Sequence, residues 1–119
     1  MGICDMNRIV QDKSFYFAIR VVKLCKILRE EQKEYIMTKQ LLRSGTSIGA
    51  NIAEAQQAQS KSDFVHKMSI ALKEASETNY WIRLLRATDY LNDKAMESMI
   101  QDCSELEKML TVIIKSAKE

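Results

Sequence analysis

The sequence predicts an all-α protein, folded as an antiparallel up-down-up-down four-helix bundle. Three observations carry this. The 119 residues include no proline and only three glycines, too few for the tight turns of a β-sandwich or barrel. Apolar residues recur at steps of three and four through four separate stretches. The breaks between those stretches are short, so neighbouring helices run antiparallel. Hydrophobic residues are 46% of the chain and charged residues 29%, a balance that excludes both a disordered tail and a membrane protein. Residues 1–119 read as a single domain, with no linker, internal repeat or low-complexity tract.

The first helix is expected over about 7–31. Phe15, Phe17, Ala18, Val21, Val22, Leu24, Cys25 and Leu28 cover about half of its surface at 100° per residue. Ile19 and Ile27 fall outside that arc. So wide an apolar face predicts more than one neighbour. The charged run Glu30 to Glu34 marks the first turn. The second helix is expected over about 35–58, on a stripe of Leu41, Gly45, Ile48, Ile52 and Ala55. Gly45, Gly49 and Ala53 share a face that lets another backbone come close. Glycine costs a helix about 1 kcal/mol relative to alanine, so a loop from Ser44 to Gly49 is the competing description. The stripe keeps phase through both glycines, which favours a continuous helix.

The third helix, about 61–88, opens on Ser60 with Asp63 three residues on, a pattern like a capping box. Phe64, Met68, Ala71, Ala75, Thr78, Ile82 and Leu85 follow in unbroken alternation of four and three, the strongest period in the chain. The fourth, about 92–118, has Asn92 as N-cap and a Leu91–Met96 staple. Its seam is Met96, Met99, Cys103, Leu106, Leu110, Ile113 and Ala117. Helices of these lengths span roughly 33–42 Å at 1.5 Å per residue. Apolar side chains lie off the stripes as well: Ile19, Ile27, Ile70, Trp81, Ile100, Val112 and Ile114. That surplus predicts an oligomer, because a lone four-helix bundle keeps its outer faces polar.

Little in the chain points to catalysis, and no catalytic residue is assigned. A bundle-core di-metal site needs two Glu-x-x-His motifs, and the chain has one histidine, His66, in Asp63-Phe64-Val65-His66. No metal and no cofactor are expected. No Ser-His-Asp or Cys-His set can be assembled, and Gly45 and Gly49 match no phosphate-loop spacing. Cys4, Cys25 and Cys103 are odd in number and have no CxxC-like spacing, so neither a disulfide framework nor a zinc site is expected. Free thiols fit the cytoplasm. Gly2 fails as a myristoylation signal because position six is Met6. The segment Met1 to Val10 is no signal peptide, and no window is apolar enough to span a membrane.

Charge is the remaining signal. The formal net charge is +2, from 18 basic and 16 acidic residues, too balanced to announce nucleic-acid binding by itself. Its distribution is uneven. Lys13, Arg20, Lys23, Lys26 and Arg29 have no acid among them, whereas Asp89 to Glu107 holds six acids and one base, Lys94. The first helix is therefore either a phosphate-binding stripe, with Tyr16 beside Arg20 and Lys23, or the complement of an adjacent acidic fourth helix. Arg43, Ser47, Asn51 and Glu54 form a polar line on the second helix, and Glu74 and Glu77 flank the third-helix seam. These six are candidates for a ligand groove or for a hydrogen-bonded layer that fixes register between helices or subunits.

The segment from Gln40 to Ala55, QLLRSGTSIGANIAEA, resembles the signature of the bacterial four-helix bundle protein family. That family is also called the ribosomal-RNA intervening-sequence protein family. A second match follows at Phe64, Ile70 to Ala75, Glu77-Thr78 and Tyr80-Trp81, and the likeness extends over about Lys13 to Lys118. Many members carry Pro where this chain has Gly49 and Gly where it has Ala55. The resemblance implies an antiparallel bundle assembled as a homopentamer, with no known enzymatic activity. It is similar also to the accessory protein of diversity-generating retroelements, a pentameric barrel that binds nucleic acid and a reverse transcriptase. A non-enzymatic homo-oligomeric scaffold binding RNA, DNA or a nucleoprotein is thus the leading expectation, with a protein–protein interaction module as the alternative. Arg20, Lys23, Lys26 and Arg43 are the expected phosphate contacts.

Overall fold

The computed structural model describes residues 2–119. Four helices account for nearly all of them: α1 (Ile3–Gln32), α2 (Ile36–Ala55), α3 (Lys61–Ala87) and α4 (Asp93–Lys118). Each helix packs on the next, and α4 closes against α1. Among the described residues no close backbone approach runs across either diagonal, so the core is the centre of an up-down-up-down bundle measuring 45 × 24 × 19 Å. The antiparallel four-helix fold is the one that the periodicity predicts.

The stripes of α2, α3 and α4 build the core as their spacing dictates. Leu41, Ile48, Ile52, Met68, Ile82, Leu85, Met96, Leu110 and Ile113 are all fully buried. Ser60 accepts the Asp63 backbone N–H at 3.0 Å, and Asn92 Oδ1 accepts that of Ala95 at 2.9 Å. Both caps occupy an orphan donor of a first turn.

Three boundaries differ from expectation. α1 begins at Ile3, about one turn early, with Asp5 in its first turn, where the helix dipole favours an anion. α2 ends at Ala55, because the next three backbone N–H groups bond three residues back, to Ala53, Glu54 and Ala55. The first turn is confined to 33–35, where Lys33 adopts a left-handed φ of 56°. On α1 the buried stripe is Val10, Ser14, Phe17, Val21, Cys25 and Leu28. Phe15 and Val22, at the margin of the wide apolar arc, are 65% and 47% exposed. Two neighbours cover less of the helix than its apolar arc spans.

α2 is continuous through Gly45 and Gly49, and α1 crosses both. A Cβ at Gly49 would stand 3.3 Å from Ser14 Oγ and 3.4 Å from the Ser14 carbonyl oxygen. Gly49→Leu should therefore overpack the crossing and lower stability by about 1–3 kcal/mol. Thermal denaturation reads this, and an unchanged melting temperature would mean that the site lies open.

Candidate functional site

The basic stripe of α1 divides in two. Arg20 Nη1 pairs with Asp102 of α4, and its Nη2 donates to Ser98 Oγ at 3.1 Å. Lys13 pairs with Glu105 at 2.8 Å. These ion pairs clasp the α1–α4 seam over Phe17 and Leu106, around a cleft of about 220 Å³. Arg29 donates to Thr38 Oγ1 of α2 at 3.0 Å. Lys23, Lys26 and Arg43 are exposed, and none of them has an ion pair among the described residues. Of the four expected phosphate contacts, Arg20 is thus engaged by a carboxylate within the chain.

The acids of α4 face both ways. Asp102 and Glu105 serve α1. Asp93 and Glu97 hold Arg86 of α3 at 3.4 and 3.3 Å, and Glu107 accepts from Asn79 Nδ2 at 3.2 Å. The acidic field is consumed largely as helix-to-helix bracing. Such exposed pairs contribute about 0–1 kcal/mol each and fix orientation more than they stabilise.

The polar line of α2 bonds mostly to its own helix. Ser47 Oγ donates to the Arg43 carbonyl at 2.6 Å, and Asn51 Nδ2 donates to the Ser47 carbonyl at 2.8 Å. Glu54 crosses to Lys67 of α3 at 3.2 Å. Glu77 accepts the Trp81 indole N–H at 3.1 Å. Glu74 Oε2 is buried and lacks a hydrogen-bond partner among the described residues. One turn away, the buried Thr78 hydroxyl donates to Ser44 Oγ at 2.9 Å, locking α3 to α2.

Glu34 carries a role that its place in a charged run concealed. It is buried, and its carboxylate accepts the backbone N–H groups of Ile36, Met37 and Thr38 at 3.0, 2.9 and 2.8 Å. Burial alone would raise its pKa. The three backbone donors and Thr38 outweigh burial, so the carboxyl titrates below its ordinary 4.5. One side chain thereby satisfies three orphan donors of α2.

The buried thiols are poor nucleophiles. Burial pushes Cys25 up to about 11 and, with Glu107 beside it, Cys103 to about 12. Cys103 lies 3.2 Å from the Ala75 carbonyl oxygen and Cys25 3.6 Å from that of Thr38. His66 is exposed on the second turn of α3. Among the described residues no group of three His, Cys, Asp or Glu side chains is placed to hold a metal ion, and no helix is long and apolar enough to cross a membrane.

The apolar surface left outside the bundle is concentrated on α1. Phe15, Ile19, Val22 and Ile27 are 65%, 36%, 47% and 47% exposed, and Tyr35, Ile36, Tyr80 and Val112 are exposed elsewhere. Of the residues singled out as surplus, Ile114 joins the core, while Ile70, Trp81 and Ile100 are half-buried. Beside Phe15 runs a groove of about 380 Å³ between α1 and α2, floored by Gly49, Ala50 and Ala53.

These features define an all-helical bundle protein whose polar groups mainly brace its helices and whose first helix is apolar on both sides. The model of the 23S rRNA-intervening sequence protein family matches residues 6–112, and the chain belongs to that family. It is similar to a crystal structure of a protein of unknown function from the S23 ribosomal protein family of Bacteroides thetaiotaomicron VPI-5482. The two are 55% identical over 92% of this chain and 98% of that chain, with a TM-score of 0.91. No curated protein matches.

Proposed function

We propose that the protein is a cytoplasmic, non-enzymatic scaffold that works as a homo-oligomer. The observation that carries this is the apolar outer face of α1, where Phe15, Ile19 and Val22 stand in solvent in the single chain. An unpartnered face of this kind is an interaction surface or an aggregation hazard. Five copies is the count that the family resemblance implies, and a ring of five closes through a heterologous contact. Light scattering at micromolar concentration should return a multiple of 13.7 kDa. A monomer would overturn the proposal.

Nucleic-acid or nucleoprotein binding is a second reading. Exposed Lys23, Lys26 and Arg43, which form no ion pair among the described residues, favour it, as does the rRNA in the family's name. One subunit is nearly neutral, so affinity would come from the same few cations repeated around the assembly. Binding to a structured RNA or a duplex DNA, read by fluorescence anisotropy, should weaken steeply as salt rises. The variant Lys23→Glu/Arg43→Glu should lose it while keeping its mass. Arg20→Glu is a poor probe, because it also breaks the brace to Asp102. Absence of binding at low salt would leave the interaction module without a nucleic-acid role.

A further inference from the structure

We propose that the outward stripe of α1 is a two-fold contact that binds the same stripe of a second copy, antiparallel and centred on Ile19. The inference rests on the self-assembly proposed above and names its surface and partner. Phe15, Ile19 and Val22 form a short apolar seam at steps of four and three. Arg8 and Asp12 precede it, and Lys26 and Glu30 follow it, at the same helical spacing. At 100° per residue all seven positions lie within about 80° of arc and extend over about 33 Å of helix. Every one of them is exposed. No ion pair among the described residues involves Arg8, Asp12, Lys26 or Glu30. Lys13 and Arg20, on the α4 side of the same helix, are both paired within the chain.

The order of charges specifies both partner and direction. Along the stripe the signs run plus, minus, three apolar residues, plus, minus. Reversal about Ile19 sets Arg8 against Glu30 and Asp12 against Lys26, with Ile19 against its own copy and Phe15 about one residue's rise, ~1.5 Å, from direct opposition to Val22. Every charge then meets its opposite, twice by symmetry. A parallel pairing in register would set every charge against its like, which disfavours that orientation. A surface that is its own complement makes an isologous contact, which closes at two copies. The α1–α2 groove beside Phe15, about 380 Å³, gives the partner's side chains room to be buried. An isologous contact does not close a ring of five, so such a ring would be held by other exposed apolar residues, Tyr35, Ile36 and Tyr80 among them, and loss of the α1 contact leaves it intact.

Cross-linking through Ile19→Cys tests the axis. The substitution is made with Cys4→Ser, since Cys4 is exposed whereas Cys25 and Cys103 are buried. Mild oxidation should give a covalent dimer, and Val112→Cys on α4 in the same background should not. Sedimentation then tests the pairing. Asp12→Lys and Lys26→Asp should each raise the dissociation constant of the pairing step about tenfold. Asp12→Lys combined with Lys26→Asp should restore it, because the exchanged charges again face their opposites. The proposal is overturned if position 19 cross-links no better than position 112, or if the double variant is no tighter than the singles. It is overturned too if Asp12→Lys strengthens RNA binding and leaves the mass unchanged, the behaviour of a nucleic-acid surface. A mass that stays oligomeric in those cases leaves the scaffold standing, whereas a monomeric parent ends both.

Discussion

Gly45→Leu should lower stability by about 3 kcal/mol or more and the melting temperature by roughly 12 °C for a domain of this size. A Cβ added at Gly45 would lie 2.8 and 2.9 Å from the two γ-methyls of Val21, closer than side-chain carbons approach. Val21 is fully buried on α1, and a β-branched side chain has no free rotamer into which to retreat. Gly45 is thus the tighter of the two glycines at the α1–α2 crossing. Since clash and partner are one contact, Val21→Ala in the Gly45→Leu background should cost less than the sum of the two single changes. Strict additivity in denaturant melts would mean that the crossing relaxes elsewhere.

Removing the Glu34 carboxylate should cost about 2 kcal/mol, near 8 °C in melting temperature, since three orphan donors of α2 lose their acceptor together. Glu34→Ala tests this at neutral pH. The pH dependence has a definite sign. The folded pKa lies below the ordinary value of 4.5, so the charged carboxylate stabilises the fold above that value, and the gain disappears as pH falls through the folded pKa. Against Glu34→Gln, the parent's advantage should be full at pH 7 and shrink only as the pH falls below the ordinary 4.5 and through the lowered folded pKa. An advantage that persists unchanged through the whole acid limb, up to acid unfolding, would show that the neutral acid caps α2 equally well.

Periodicity made most of this architecture legible. The α3 seam from Met68 to Leu85 and the α4 seam from Met96 to Ile113 are buried at every step, because a helix with one covered face must repeat every three or four residues. The expected end members Phe64 and Ala117 are half-buried. The glycines of α2 were legible for the same reason, as the stripe holds phase across them. Charge blocks pointed to the α1–α4 pairing, and Arg20–Asp102 and Lys13–Glu105 occupy it. They did not reveal that Asp93, Glu97 and Glu107 turn to α3, since neighbours along a sequence say little about which side of a helix finds a partner.

Two features escaped for physical reasons. Which part of the wide apolar arc of α1 turns outward, at Phe15 and Val22, was not legible because an apolar arc has the same sequence signature whether or not its own chain covers it. Glu34 was hidden because a charge in a polar run ordinarily points to solvent. Only the path of the turn at Lys33, with its left-handed φ, brings that carboxylate beneath the first N–H groups of α2. The Arg43–Ser47–Asn51–Glu54 line was visible as a line. Its use, two bonds to its own backbone and one ion pair to α3, depends on rotamers that spacing does not encode.

Sedimentation equilibrium of the full chain at micromolar concentration is the most direct measurement of whether this bundle exists to assemble. Self-assembly through the exposed apolar surface predicts a mass that is a multiple of 13.7 kDa, and a smaller multiple for Ile19→Asp, which buries a charge at the two-fold axis. A soluble single species at 13.7 kDa, unchanged by that substitution, would contradict it.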